Sequence, residues 1–135
     1  VGGEVKTIRE LDFMVPIRTV SELNARSHWR VVYNRKKEQK ELVTVAMHNA
    51  LRGRMVQLPC LIKLTRVAPR SLDSHDNLRS SLKFTVDAIC QKLGIDDASD
   101  QVSFEYHQMP MRTLKSYGVK IEIKTVGANE QCQQF

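Results

Sequence analysis

Residues 76–94 read Asp76-Asn77-Leu78-Arg79-Ser80-Ser81-Leu82-Lys83-Phe84-Thr85-Val86-Asp87-Ala88-Ile89-Cys90-Gln91-Lys92-Leu93-Gly94. Leu78, Leu82, Val86, Ile89 and Leu93 recur at steps of four and three, so a helix would carry all of them on one face. Gly94 follows as the residue that best tolerates the left-handed closing turn. The spacing predicts a helix from about Asn77 to Leu93, with Asp76 suited to its N-cap.

The flanks read as strands. Pro59 opens an apolar run, Cys60 to Val67, that stops before Pro69, and a polar loop covers residues 68–75. Downstream, Val102, Phe104 and Tyr106 alternate with other residues at period two. Tyr117, Val119, Ile121 and Ile123 alternate with Lys120, Glu122 and Lys124. Near the start, Leu11, Phe13 and Val15 give the same period and end at Pro16. Residues 17–30 look irregular, with Ser21, Asn24 and Ser27 as turn formers. Another helix is expected from about Arg30 or Asn34 to Leu51, since Val43, Ala46, Met47 and Ala50 share a face and Gly53 can stop it. The expected order is β-α-β-α-β-β, an α+β fold with a small mixed β-sheet and two main helices. A single domain over residues 1–135 is expected, with residues 1–4 and 125–135 flexible.

Composition sets the class. At 41% hydrophobic and 27% charged residues, the chain has the balance of a soluble globular domain. No apolar run approaches the roughly 18 residues that span a bilayer. Val1-Gly2-Gly3-Glu4 lacks the basic start and apolar stretch of a signal peptide. Cys60, Cys90 and Cys132 are odd in number and have no zinc-ligand spacing, so reduced thiols in a cytoplasmic protein are expected, with Cys60 and Cys90 in the core.

The net charge of +6 is local. Arg26, Arg30, Arg35, Lys36, Lys37, Lys40, Arg52 and Arg54 face only Glu38 and Glu41 across residues 26–54, which leaves the remainder formally neutral. Such a segment is the footprint of a polyanion binder, or else the solvated face of a helix. Trp29, the only tryptophan, sits within it, either to stack on a base or to pack beneath the helix.

Six of the seven aspartates lie between residues 73 and 100. Asp73 and Asp76 precede the expected helix, Asp87 lies within it, and Asp96, Asp97 and Asp100 follow it. Mg²⁺ prefers carboxylate oxygen and keeps several waters, so two or three such groups can hold it with positions left open. Caps and turns account for the same aspartates without a metal. Lys83 is four residues before Asp87 and can pair with it. Alternatively, being two helical turns past Asp76, it can reach a phosphate and offset developing negative charge. There is no GxSxG, Gly-rich phosphate loop or HExxH, and the histidines lack ligand spacing.

The ordered series Leu72-Asp73-Ser74-His75-Asp76-Asn77-Leu78, Leu82-Lys83, Val86-Asp87-Ala88-Ile89 and Leu93-Gly94-Ile95-Asp96-Asp97 resembles the RusA-type Holliday junction resolvases, chiefly their phage and prophage members. The likeness covers about residues 60–124 and extends loosely to Ser21-Glu22-Leu23-Asn24-Ala25-Arg26. It implies a homodimeric, Mg²⁺-dependent endodeoxyribonuclease that cuts branched DNA, above all four-way junctions, in the cytoplasm of a bacterial or phage-infected cell. Mn²⁺ is a possible substitute metal, and neither an organic cofactor nor a membrane is implied. Carried over by motif, Asp76 and Lys83 are catalytic, with Asp97 from the acidic turn and Asp73 from the loop. The metal ligands implied are Asp73, Asp76, Asp97 and Asp100, with Asp96 adjacent. Asn24, Arg26, Trp29, Arg30, Lys36 and Lys37 would bind DNA, and His75 would either touch phosphate or stand exposed.

Two departures stand out. Ser74 occupies the place of the family's first aspartate, with Asp73 one residue earlier, and Lys83 sits about a turn later than in the shortest members. A catalytically degenerate junction- or nucleic-acid-binding protein of the same fold is therefore the alternative to a nuclease. An unrelated RNA-binding α+β protein fits the aspartates less well, because carboxylates repel phosphate unless a metal intervenes.

Overall fold

The computed structural model describes residues 5–21, 28–112 and 117–127. Their elements are β1 (Thr7–Ile8), β2 (Glu10–Val15), α1 (Trp29–Leu51), β3 (Met55–Val56), β4 (Cys60–Ala68), α2 (His75–Ser81), α3 (Lys83–Leu93), β5 (Val102–Pro110) and β6 (Gly118–Thr125). Asn24, Arg26 and Cys132, together with residues 1–4 and 128–135, lie outside the described residues.

The main sheet has the order β2-β6-β4-β5. β6 runs antiparallel to both β2 and β4, whereas β4 and β5 are parallel. Parallel neighbours need a long crossover, and here it is the aspartate-rich segment that carries α2 and α3. The fold is thus α+β with a mixed sheet, in the expected order. The pair β1–β3, parallel through Thr7↔Met55 and Ile8↔Val56, is additional. Two residues per strand are too few to show a period.

Alternation works as the sequence implies. Val15, Ile62, Leu64, Val119, Ile121 and Ile123 point inward and are buried, while Asp12, Lys120 and Lys124 stand on the opposite face. α1 buries one stripe, Gln39, Val43, Met47 and Leu51, against α3 and β2. No residue between 29 and 38 is buried, so the basic first half of α1 extends beyond the core. The helix closes through Arg52 (φ 53°) and Gly53 (φ 75°), both left-handed.

Three local expectations are corrected. The helix expected over residues 77–93 is broken at Leu82 (φ −103°, ψ 5°), whose N–H bonds both Arg79 and Ser80 carbonyls. The Ser81 hydroxyl donates to the Leu78 carbonyl at 2.7 Å, the kind of back-bond that bends a helix. The apolar face survives the break: Leu78, Leu82, Val86, Ile89 and Leu93 are all buried. The N-cap is Ser74, not Asp76. Its hydroxyl accepts from Asn77 N–H at 3.1 Å, leaving Asp76 in the first turn. The expected flexible tail does not begin at Thr125, which closes β6. Its hydroxyl donates to the Gln57 carbonyl at 2.7 Å, and both Thr125 and Val126 are buried.

Candidate functional site

Asp76 and Arg79 from α2, Lys83 and Asp87 from α3, Asp97 from the following turn and Tyr106 from β5 line one open cleft of about 650 Å³. Asp76, Lys83 and Asp97, expected from the sequence as separate pieces of one site, line the same open cleft. The break at Leu82 does not separate Asp76 from Lys83. Lys83 makes no ion pair with Asp87 among the described residues, so its ammonium is not spent on the helical partner four residues on.

The acidic turn is held by its own backbone. Asp96 accepts from Ala98 N–H at 2.9 Å. That bond, reinforced by a hydrogen bond with the Asp97 side chain, holds the Asp96 carboxyl below its usual range. The same shared hydrogen bond pushes Asp97 up. A smaller hollow of about 220 Å³ shares Asp87 and Asp97 with the cleft and adds Asp96 and Lys40. Lys40 thus connects the basic helix to the acidic turn.

Asp73 and Asp100 do not line the cleft. The Asp73 carboxylate accepts from the Asn77 amide at 2.8 Å, and Asp100 accepts from Gln101 at 3.4 Å. Among the described residues, no group of three His, Cys, Asp or Glu side chains lies close enough together to hold a metal ion. The donor chemistry of Asp76, Asp87 and Asp97 suits a hard ion held through one or two carboxylates, with water and phosphate completing its shell. It does not suit an all-protein cage.

Two residues that the sequence left unassigned stand out in the cleft. The Arg79 guanidinium lies 5.5 Å from the centroid of the Tyr106 ring. Burial raises the Tyr106 hydroxyl, and the Arg79 charge and hydrogen bond oppose that rise. Phe104 stacks on Tyr106 at 6.4 Å, and His75, exposed at the start of α2, meets the ring edge-on at 6.0 Å. In the sequence, Arg79 was one more polar helix residue and Tyr106 one more alternating strand residue.

The loop entering the site is braced from several sides. Gln108 accepts from Leu72 N–H at 2.7 Å and donates to the Leu72 carbonyl at 3.2 Å. The buried Arg66 donates to Thr19 at 3.1 Å and to the Arg70 carbonyl at 2.9 Å. Ser21 reaches Asn77 at 2.7 Å.

Of the expected DNA contacts, Trp29, Arg30, Lys36 and Lys37 fall on α1, and Asn24 and Arg26 lie outside the described residues. Trp29 is 66% exposed, which overturns its reading as core: it precedes the stripe that packs on the sheet. Arg30 lies 5.3 Å from its ring centroid and His28 stacks obliquely at 5.5 Å. Arg30, Lys36 and Lys37 are exposed. Cys60 and Cys90 are buried free thiols, as expected. No helix among the described residues is long and apolar enough to cross a membrane.

No protein-family model matches the chain, and no curated protein matches it.

Proposed function

We propose that the chain is a Mg²⁺-dependent endodeoxyribonuclease that cleaves branched DNA, with four-way junctions as its substrate class, in recombination or repair. The observation that carries this reading is that Asp76, Lys83 and Asp97 line one cleft, in a chain whose α1 displays Arg30, Lys36 and Lys37 to solvent. The resemblance to RusA-type resolvases supplies the substrate class, the homodimer and a cytoplasmic setting in a bacterial or phage-infected cell.

Asp76 and Asp97 would hold the ion, with Asp87 alongside. The chemistry that Mg²⁺ supplies when bound is polarisation of the phosphate and a lowered water pKa. Lys83 offsets negative charge that develops on the phosphate as the phosphodiester breaks. The basic face of α1 holds flanking phosphates, and exposed Trp29 offers a ring to an unpaired base.

A second reading, a junction-binding protein without activity, is favoured by one observation. Ser74 serves as a helix cap, and Asp73 is bound to Asn77 outside the cleft. A labelled immobile four-way junction, incubated with Mg²⁺ or EDTA, separates the two. The nuclease reading expects paired symmetric nicks that need Mg²⁺ and vanish in Asp76→Asn. Tight binding with no cleavage in either Mg²⁺ or Mn²⁺ would leave only the binding protein.

A further inference from the structure

We infer that Arg79, mounted on the ring of Tyr106, is an anion-binding group of the cleft that takes the non-bridging oxygens of a DNA phosphodiester. The identity of the ligand rests on the nuclease reading; the anion site itself rests on geometry.

Arg79 shares its cleft with three carboxylates, Asp76, Asp87 and Asp97, and forms no ion pair with any of them among the described residues. A solvent-exposed arginine among acids ordinarily swings toward one. Here its guanidinium is kept 5.5 Å from the Tyr106 centroid, and the ring cannot swing with it. Phe104 stacks on Tyr106 and His75 abuts its edge. Tyr106 itself lies in a strand paired along its length with β4, through Leu64↔Tyr106.

A guanidinium biased toward one place by a ring loses less freedom when it binds, and its planar fork of donors matches two oxygens of a phosphate. The position also fits. Arg79 lies three residues after Asp76 and four before Lys83 on the cleft wall, so an anion bound there would sit beside the carboxylates proposed to hold the ion. Acids alone would repel a phosphodiester. Lys83 and Arg79 place two cations in the same cleft, and only Arg79 is aimed by an aromatic support.

The test is a titration of the full chain, labelled with ¹⁵N-arginine, with thymidylyl-(3′→5′)-thymidine, whose single anionic group is a phosphodiester. The Arg79 Nε–H signal is assigned by its loss in Arg79→Lys. We expect that signal to shift saturably, Arg79→Ala to weaken binding about tenfold, and Arg79→Lys to recover part of the loss. Tyr106→Leu, which removes the support and keeps the charge, should weaken binding less than Arg79→Ala. Thermal melting of each variant shows whether it is folded. An Arg79 signal that stays still while other cleft signals move would overturn the inference and make Arg79 a strut for Tyr106. A titration that moves no cleft signal would overturn it equally. Parallel junction cleavage separates the two readings. Wild-type protein that shifts at Arg79 but never cuts keeps the anion site and loses the nuclease. Protein that cuts normally as Arg79→Ala keeps the nuclease and loses this inference.

Discussion

The Ser21 hydroxyl donates to the side-chain carbonyl of Asn77 across 2.7 Å, joining residues 56 apart in sequence. The Asn77 amide in turn donates to Asp73 at 2.8 Å. One amide thus ties the loop that precedes the basic helix to the loop that precedes Asp76. Asn77→Ala removes both bonds and should cost about 1–2 kcal/mol. A double-mutant cycle of Ser21→Ala with Asn77→Ala should show coupling of about 0.5–1.5 kcal/mol, because the two residues share one hydrogen bond. Additive denaturation free energies would mean that this bond contributes nothing in solution.

Lys83 is exposed and unpaired with Asp87, so its removal leaves no orphaned charge. Lys83→Ala should change stability by no more than about 0.5 kcal/mol. If it offsets charge on the phosphate, kcat for junction cleavage should fall on the order of 10²–10³-fold. Single-turnover cleavage beside a urea melt reads both quantities. A large loss of stability would return Lys83 to a structural role.

Residues 29–38 of α1 bury no side chain, so their charges are available to a polyanion. Each of Arg30→Ala, Lys36→Ala and Lys37→Ala should weaken junction binding and reduce the slope of log Kobs against log[salt] by about 0.9 where a phosphate contact is lost. Fluorescence anisotropy across a range of NaCl concentrations measures that slope. An unchanged slope in all three variants would show that DNA does not follow this face.

Periodicity made the main sheet and the buried face of α2 and α3 legible, because Ile62, Leu64, Ile121, Leu82 and Ile89 repeat at the spacing of their elements. It could not show the break at Leu82, since the apolar repeat runs through it and the Ser81 hydroxyl that bonds backwards there has no signature in the spacing. Nor could it show β1–β3, where two residues a side leave no period to read. In the cleft, Asp76, Lys83 and Asp97 were legible as residue types with an ordered spacing. Arg79 and Tyr106 were not, because their significance is a contact between a helix and a strand. Asp73 stands one residue before the family's place and would need a loop adjustment to reach a metal; its carboxylate instead accepts from the Asn77 amide, a contact that no spacing shows.

Thr85 is fully buried in α3, and its hydroxyl has no hydrogen-bond partner among the described residues. Thr85→Val keeps the shape and removes an unsatisfied polar atom, so it should stabilise the fold by about 1 kcal/mol. Chemical denaturation decides it. A destabilised variant would show that the hydroxyl finds a partner in solution.

Burial pushes the thiols of Cys60 and Cys90 from the ordinary 9.0 up to about 11. For Cys60 the cause is desolvation alone. For Cys90 desolvation leads, and nearby carboxylates, Asp97 first, add to it. A raised thiol pKa means that the folded state retains a proton the unfolded chain has already lost. The stabilisation is therefore complete below pH 9 and lost as pH rises from 9 toward 11. Thermal melts across that interval should fall more steeply for the wild type than for Cys90→Ala, and both buried thiols should resist a disulfide reagent at pH 8 until the protein unfolds. Parallel melting curves for the two proteins would show that the Cys90 proton does not contribute. Rapid labelling of Cys90 under native conditions would mean that α3, which carries both Lys83 and Asp87, opens readily enough to disturb the cleft it lines.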